Sequence, residues 1–437
     1  MTNIEQILNM TAEFCCVEHK GFVVVGILVE RDSDVILTGT SFTSQPHEIP
    51  EQDTVSFVGK VGGHPVTLRG AQIQRISVNY TIDGLPSIDF EIRLDSIIIG
   101  KEYKEAIMVS KIQCEFDSLK FFGLGMPLKV NYEHCKPLVE YIPQREIKAV
   151  DKDGVVQILQ TTGIERGINQ VNLKVHHYVE YVFSEQKEMM DAVKSIACFR
   201  VLLTFLSNCY VEMEDFEFYE KEDDISGCTL KLLYSEKVVN EDLYLIRASD
   251  VVDDFQEVWA QWRDFYENND AVAELFYEII CNRSTYFNEF LNLCQAMEVY
   301  SAHSREDEAY AVYQSAKLNG ENSKGVKFAH RLKDLFAAAN DFFSLSETQL
   351  DCIAANLAAM RNYYTHYNEK KYRKPVAHEV FSASAIMRFL LLTIVYKRVG
   401  ISSNAIQSIR SRVVAQRVDE DLKTIIEMDI NREHLAT

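Results

Sequence analysis

The sequence has no run of about 18 or more uncharged apolar residues, so no part of it reads as a membrane span. Its longest apolar stretch, 386–399, is broken by Arg388, Lys397 and Arg398 and reads as a buried helix. The opening MTNIEQILNM lacks the basic segment of a signal peptide, and the expectation is a cytoplasmic protein with no membrane partner. Walker-type glycine loops, GxSxG elbows, HExxH and DxDxDG segments are all missing, which leaves NTPase, serine-hydrolase and zincin chemistry without support. No CxxC pair occurs among the ten cysteines. The adjacent Cys15 and Cys16 are no zinc set, and Cys198, Cys294 and Cys352 lie in apolar stretches, as reduced structural thiols do. Neither a metal nor a cofactor is expected. Positive charge is also short: 45 Lys and Arg face 65 Asp and Glu, a net charge of −20. Such a chain repels phosphate overall, so any RNA contact requires a local basic island.

What is present is ordinary globular material, 437 residues that are 47% hydrophobic and 25% charged, enough for two or three domains. The first half reads as sheet. Residues 21–28 (GFVVVGIL) and 34–40 (DVILTGT) are β-branched runs, and further strands are expected at 54–59, 64–68, 75–80, 87–92, 96–99, 111–122, 146–150, 155–160 and 171–183. Gly62-Gly63 and Asp83-Gly84 mark turns. This spacing predicts an antiparallel sandwich or barrel-like sheet. A helix over 185–205 and a hairpin over 214–219 and 229–234 complete a β-rich domain, 1–248. From 249 to 437 the periodicity is helical, with helices expected at 251–266, 271–281, 285–301, 326–343, 347–364, 378–399 and 404–417. Ser346 and Gln349 form a capping box, Gly400 sits where a helix-ending glycine belongs, and polar 304–324 reads as a mobile loop. The fold class is α+β.

One segment carries chemistry. Residues 360–375 read MRNYYTHYNEKKYRKP and contain Arg361-x4-His366, with Asn362 directly after the arginine. Spacing alone is weak, since on the order of one such match arises by chance among eleven histidines. A second match, Arg373-x4-His378, contains the helix breaker Pro375 and is set aside. Helical phase strengthens the first. Arg361 continues the stripe Leu350, Ile353, Leu357 and Tyr364, while Glu298 continues the stripe Phe287, Leu291 and Cys294. Opposite charges on two apolar faces predict a buried Arg361–Glu298 pair, although another arginine would serve Glu298 equally well.

His366 lies about 140° round an ideal helix from Arg361. Either the helix ends near Thr365 and the imidazole swings round, or His366 faces a second protomer. Asn362 is one turn before His366 and is placed to bond a ring nitrogen. The required basic island follows as Lys370, Lys371, Arg373 and Lys374, interleaved with Tyr367 and Tyr372. The plain alternative is a structural salt bridge, a helix-capping histidine and a solvated loop.

These features resemble the HEPN superfamily, helical bundles ending in an Arg-x(4–6)-His signature. The first half resembles the N-terminal domain of ApeA-type abortive-infection proteins, through GFVVVGIL, HPVTLRG at 64–70, IIIGKEY at 97–103 and SKIQCEFDSLKFFG at 110–123. The resemblance implies a homodimer or higher oligomer in which two signatures meet and cut RNA without metal, leaving a 2′,3′-cyclic phosphate. Arg361 would grip the scissile phosphate, His366 would assist proton transfer, and Glu298 would brace the pair. It also implies an anti-phage protein that arrests translation, with a phage protein as trigger at the N-terminal domain. Two rivals stand beside this: a non-catalytic HEPN module that binds nucleotide or protein, and a receptor whose β-domain acts while the helices only oligomerise. His176 and His177, on opposite faces of a strand, and His134-Cys135 read as structural, and Trp259 and Trp262 as core or a dimer seam.

Overall fold

A computed structural model describes residues 4–430, except 20, 32–33, 42–53, 81–85, 125–127, 134–135, 143–145, 167–170, 214–215, 223, 225–226, 233–244, 282–284, 368 and 412–414. His134-Cys135 and the Asp83-Gly84 turn lie outside the described residues. Two compact units emerge. The first comprises Met1–Lys120, Gly125–Arg200 and Glu212–Lys237; the second comprises Phe121–Leu124, Val201–Val211 and Val238–Thr437.

The first unit holds β1 (Thr11–Cys16), β2 (Val23–Arg31), β3 (Asp34–Ser41), β4 (Val55–Val61), β5 (His64–Tyr80), β6 (Pro86–Arg93), β7 (Ser96–Ile99) and β8 (Met108–Glu115). It continues with β9 (Leu128–Glu133), β10 (Lys136–Tyr141), β11 (Ile147–Val150), β12 (Gly154–Arg166), β13 (Val171–Glu188), β14 (Phe216–Tyr219) and β15 (Cys228–Leu232). The long strand β5 sets the topology. Its first half pairs with β4 and β7, its second half with β6, and a register shift falls between Ile73 and Arg75. Because β6 also pairs with β3, the ring β4-β1-β2-β3-β6-β5 closes into a six-stranded antiparallel barrel. Alternate residues such as Phe14, Leu28, Leu37, Phe57, Leu68 and Phe90 fill its interior. From β7 an open sheet continues through β15, β14, β8, β13, β12 and β11, while β9 and β10 form a separate hairpin. The barrel alternative is therefore the one adopted. β13 runs on to Glu188, past the strand end expected at 183, because Lys187 and Glu188 resume pairing with β8 beyond a bulge.

Helix α1 (Met189–Ser207) belongs to the first unit through Arg200 and to the second from Val201. The second unit holds α2 (Ala248–Val251), α3 (Phe255–Asn268), α4 (Asp270–Cys281), α5 (Tyr286–Ser304), α6 (Glu306–Leu318) and α7 (Phe328–Ala338). After these come α8 (Asn340–Phe343), α9 (Glu347–His366), α10 (Ala377–Arg398), α11 (Ser403–Ile409) and α12 (Ala415–Glu427). At the centre is α10, apolar on all sides and packed by α3, α5, α7, α11 and α12. It is long and apolar enough to cross a membrane by composition, yet 78% of its apolar window is buried in the protein. Trp259 and Trp262 are fully buried, and Trp262 packs on Phe205 and Phe265, so both belong to this core and not to a seam.

The stretch 304–324, expected as a loop, is mostly helix α6. Only Ala309 and Tyr313 are buried there, so the apolar period is faint; Glu306, Asp307 and Glu308 at the start and Lys317 at the end suit the helix dipole instead. The helix expected at 326–343 is broken into α7 and α8, and that at 251–266 into α2 and α3. Ser346 caps α9 with Gln349 in the reciprocal box. Helix α10 ends in a Schellman turn, in which Ile401 N donates to Tyr396 O at 2.9 Å and Gly400 holds φ +82°. Gly400→Ala is expected to cost about 1 kcal/mol, because an L side chain is strained there; the denaturant midpoint would fall, and an unchanged midpoint would refute the strain.

Candidate active site

Helix α9 packs against both α7 and α12. Its buried face runs through Leu350, Ile353, Leu357, Met360 and Tyr363, and Asn356 Nδ2 donates to Ile425 O at 2.8 Å. The expected stripe was one residue off at its end: Tyr363 is buried and Tyr364 only half-buried, since two neighbours widen and turn the face. On α5 likewise Phe290, Leu293, Cys294 and Met297 are buried while Phe287 and Leu291 are partly so. Arg361 and Glu298 consequently meet at the rim of the bundle, not inside it.

They do meet. Arg361 Nη2 donates to Glu298 Oε2 at 2.9 Å, with side chains 28% and 42% exposed. The guanidinium also lies 5.6 Å from the centre of the Phe328 ring. Beneath the pair is the fully buried Cys294, whose thiol burial pushes well up; Arg361 draws it down and Glu298 up, and it stays an inert thiol. An ion pair this exposed contributes under about 1 kcal/mol. The remaining N–H donors of Arg361 have no hydrogen-bond partner among the described residues, which leaves the group equipped to take an anion.

His366 is the last residue of α9 and is exposed. The helix ends near Thr365 as expected, at His366 one residue on, and is closed by Tyr367 in the left-handed conformation, φ +47°, with Tyr367 N donating to Tyr363 O at 2.6 Å. Asn362 is half-buried and makes no hydrogen bond to His366 among the described residues. The structure thus joins Arg361 to Glu298 but does not join Asn362 to His366.

The basic island divides in two. Tyr367, 65% exposed, and Lys370, Lys371 and Lys374 face solvent. Tyr372 is only 8% exposed, so its ring is not open to a base, and Arg373 is committed to the fold. Arg373 Nη1 and Nη2 clasp the two carboxylate oxygens of the buried Glu379, and its Nε donates to Asp429 O. Glu379 also accepts from Val376 N, capping α10. Phe328 and the Arg373–Glu379 clamp escaped the sequence reading, because ring-face and i,i+6 loop contacts leave no periodic signal. Elsewhere His176 bonds Glu115 at 2.6 Å and His177 is buried, both structural. No group of three or more His, Cys, Asp or Glu residues converges as a metal site among the described residues.

Burial pushes the Glu379 carboxyl up, but Arg373 and the Val376 N–H outweigh it and hold the group below the usual carboxylate range. That stabilisation is present above the unfolded value of about 4.3 and disappears as pH falls through the lower folded value. Arg373→Ala is expected to destabilise the protein by about 2 kcal/mol at neutral pH by leaving Glu379 buried and unpaired. Unfolding measured from pH 7 to pH 3 should show the deficit shrinking with acidity; a deficit independent of pH would contradict the clamp.

Residues 24–262 match the family model of the ApeA N-terminal domain 1, and residues 291–405 match that of the Apea-like HEPN domain. No curated protein and no solved structure gives a significant match. The HEPN match contains Glu298, Arg361 and His366, and the N-terminal match alone spans more than half of the chain. With a β-rich unit followed by a helical one bearing this signature, the chain belongs to the ApeA family.

Proposed function

We propose that this protein is an anti-phage endoribonuclease whose site is built from Arg361 and His366, completed by a second copy of the chain, and independent of metal. ApeA and HEPN domains together carry a role in anti-phage defence, and HEPN domains are generally ribonucleases. The observation that carries the proposal is the state of Arg361: a guanidinium held at the surface by one bond to Glu298, with donors to spare, five residues before an exposed imidazole at a helix end.

In this reading Arg361 binds the scissile phosphate and stabilises charge as it develops there. Glu298 fixes the guanidinium plane. His366 takes the proton of the attacking 2′-hydroxyl or returns one to the leaving 5′-oxygen. Because α9 stays helical through His366, arginine and imidazole of one chain diverge round its axis, and a second copy facing the first supplies the complementary groups. Asn362 is then positioned to orient an imidazole across that seam. Lys370, Lys371 and Lys374 hold flanking phosphates and Tyr367 stacks on a base, which overcomes the repulsion of a chain of charge −20. The barrel unit is the regulator, with a phage protein as trigger, and cutting arrests translation in the cytoplasm.

Purified wild type is expected to cut total cellular RNA in EDTA, alone or with extract of phage-infected cells. Arg361→Ala and His366→Ala should each lose about a hundredfold or more while retaining their circular dichroism and oligomeric state. Variants that cut as fast as wild type would overturn the assignment, and no cutting under either condition would return the helical domain to a binding role.

A further inference from the structure

Away from Arg361, the helical unit contains a cavity of about 440 Å³ walled by α5, α10, α12 and residues 207–209 at the end of α1. The volume lies within the roughly 300–1,000 Å³ typical of small-molecule sites. Its lining is aromatic at the mouth. Tyr286 meets Phe381 edge-on with ring centres 4.8 Å apart, and Phe389 lies beside them.

Three polar features converge on this space. Asn208, in the left-handed conformation (φ +56°), lines the wall, where its Oδ1 is buried and accepts no hydrogen bond among the described residues. A buried carbonyl oxygen in that state calls for an N–H or O–H donor. Arg417 of α12 is exposed, lies 4.8 Å over the Phe381 ring, and pairs with no carboxylate among the described residues. Such a guanidinium is fit to take an anion. Asp421, one turn further on, is buried with Oδ1 accepting from Ser382 Oγ, which leaves its other oxygen able to accept a second N–H. The other lining pair is self-contained: Arg388 Nε and Nη2 both donate to Glu289 Oε1, at 3.0 and 2.6 Å. The cavity therefore offers ring faces, acceptors inside and, at the rim, the Arg417 guanidinium, which has no carboxylate partner among the described residues.

We propose that this cavity is a ligand site for a planar aromatic anion bearing an N–H donor, the chemistry shared by nucleoside monophosphates and aminobenzoates. The ring lies against Phe381 and Tyr286, the N–H groups meet Asn208 and Asp421, and the anionic group meets Arg417.

The test is titration calorimetry of the full chain with adenosine 5′-monophosphate, adenosine and 2-aminobenzoate. At least one of the two anions should bind, and adenosine should bind more weakly than its monophosphate. Arg417→Ala, a surface change, should weaken the bound anion by roughly tenfold and erase the advantage of the monophosphate over adenosine. Asn208→Gly, which accepts the same backbone angle, should weaken it comparably. Binding of the monophosphate alone identifies a nucleotide ligand, and of the aminobenzoate alone an aromatic carboxylate. Failure of both anions to bind overturns the proposal. So does binding that ignores Arg417→Ala, or that is lost in Arg361→Ala, which would move the ligand to the other site.

Discussion

The helical unit depends on the burial of α10. A helix apolar all round must be covered on every side, so α3, α5, α7, α11 and α12 are each committed to it. Each large side chain buried there contributes about 1.5–3 kcal/mol, several times what the Arg361–Glu298 pair contributes. Packing therefore decides where α5 and α9 run, and the ion pair accepts the position it is given. This ordering suits the proposed function. Had Arg361 been needed to hold the bundle, its guanidinium would be buried and saturated, whereas it lies at the rim with one bond made.

The same packing organises the loop between α9 and α10. Tyr372 is drawn into the core, and Arg373 is clamped between Glu379 at the start of α10 and the Asp429 carbonyl just after α12. With these two residues fixed, Lys370, Lys371 and Lys374 leave the surface from an anchored segment. Positive charge in this acidic chain thus follows His366 in sequence on a segment tied down at Tyr372 and Arg373, which under the proposed function limits the entropy cost of holding a phosphate. Under the proposed function, a chain of net charge −20 needs that concentration of charge to hold phosphate against its overall field.

Much of this was legible in the residues, for identifiable reasons. The capping box at Ser346 and the Gly400 terminator are local devices with fixed offsets, and both occur where read. The Arg361–Glu298 partnership followed from phase, but its depth did not: a helix with two packing neighbours turns its buried face by an amount that one stripe cannot reveal. Helix α6 was hidden because two buried residues make no period, and the dipole-matching charges that support it resemble a solvated loop. Barrel closure was equally hidden, since it rests on β5 changing partners halfway along at a bulge. Arg373 looked like its lysine neighbours in sequence, and only Glu379, six residues on, separates it from them.

The most direct test of the central claim is the chemistry of the cut end. RNA cleaved by the wild-type protein in EDTA would be analysed by mass spectrometry, alongside the same RNA carrying a single 2′-deoxy nucleotide at the cut position. A site that works through a phosphate-binding arginine and a proton-transferring histidine predicts a 2′,3′-cyclic phosphate and 5′-hydroxyl, and no cutting at the deoxy position. A 3′-hydroxyl with a 5′-phosphate, or undiminished cutting of the deoxy substrate, would contradict it.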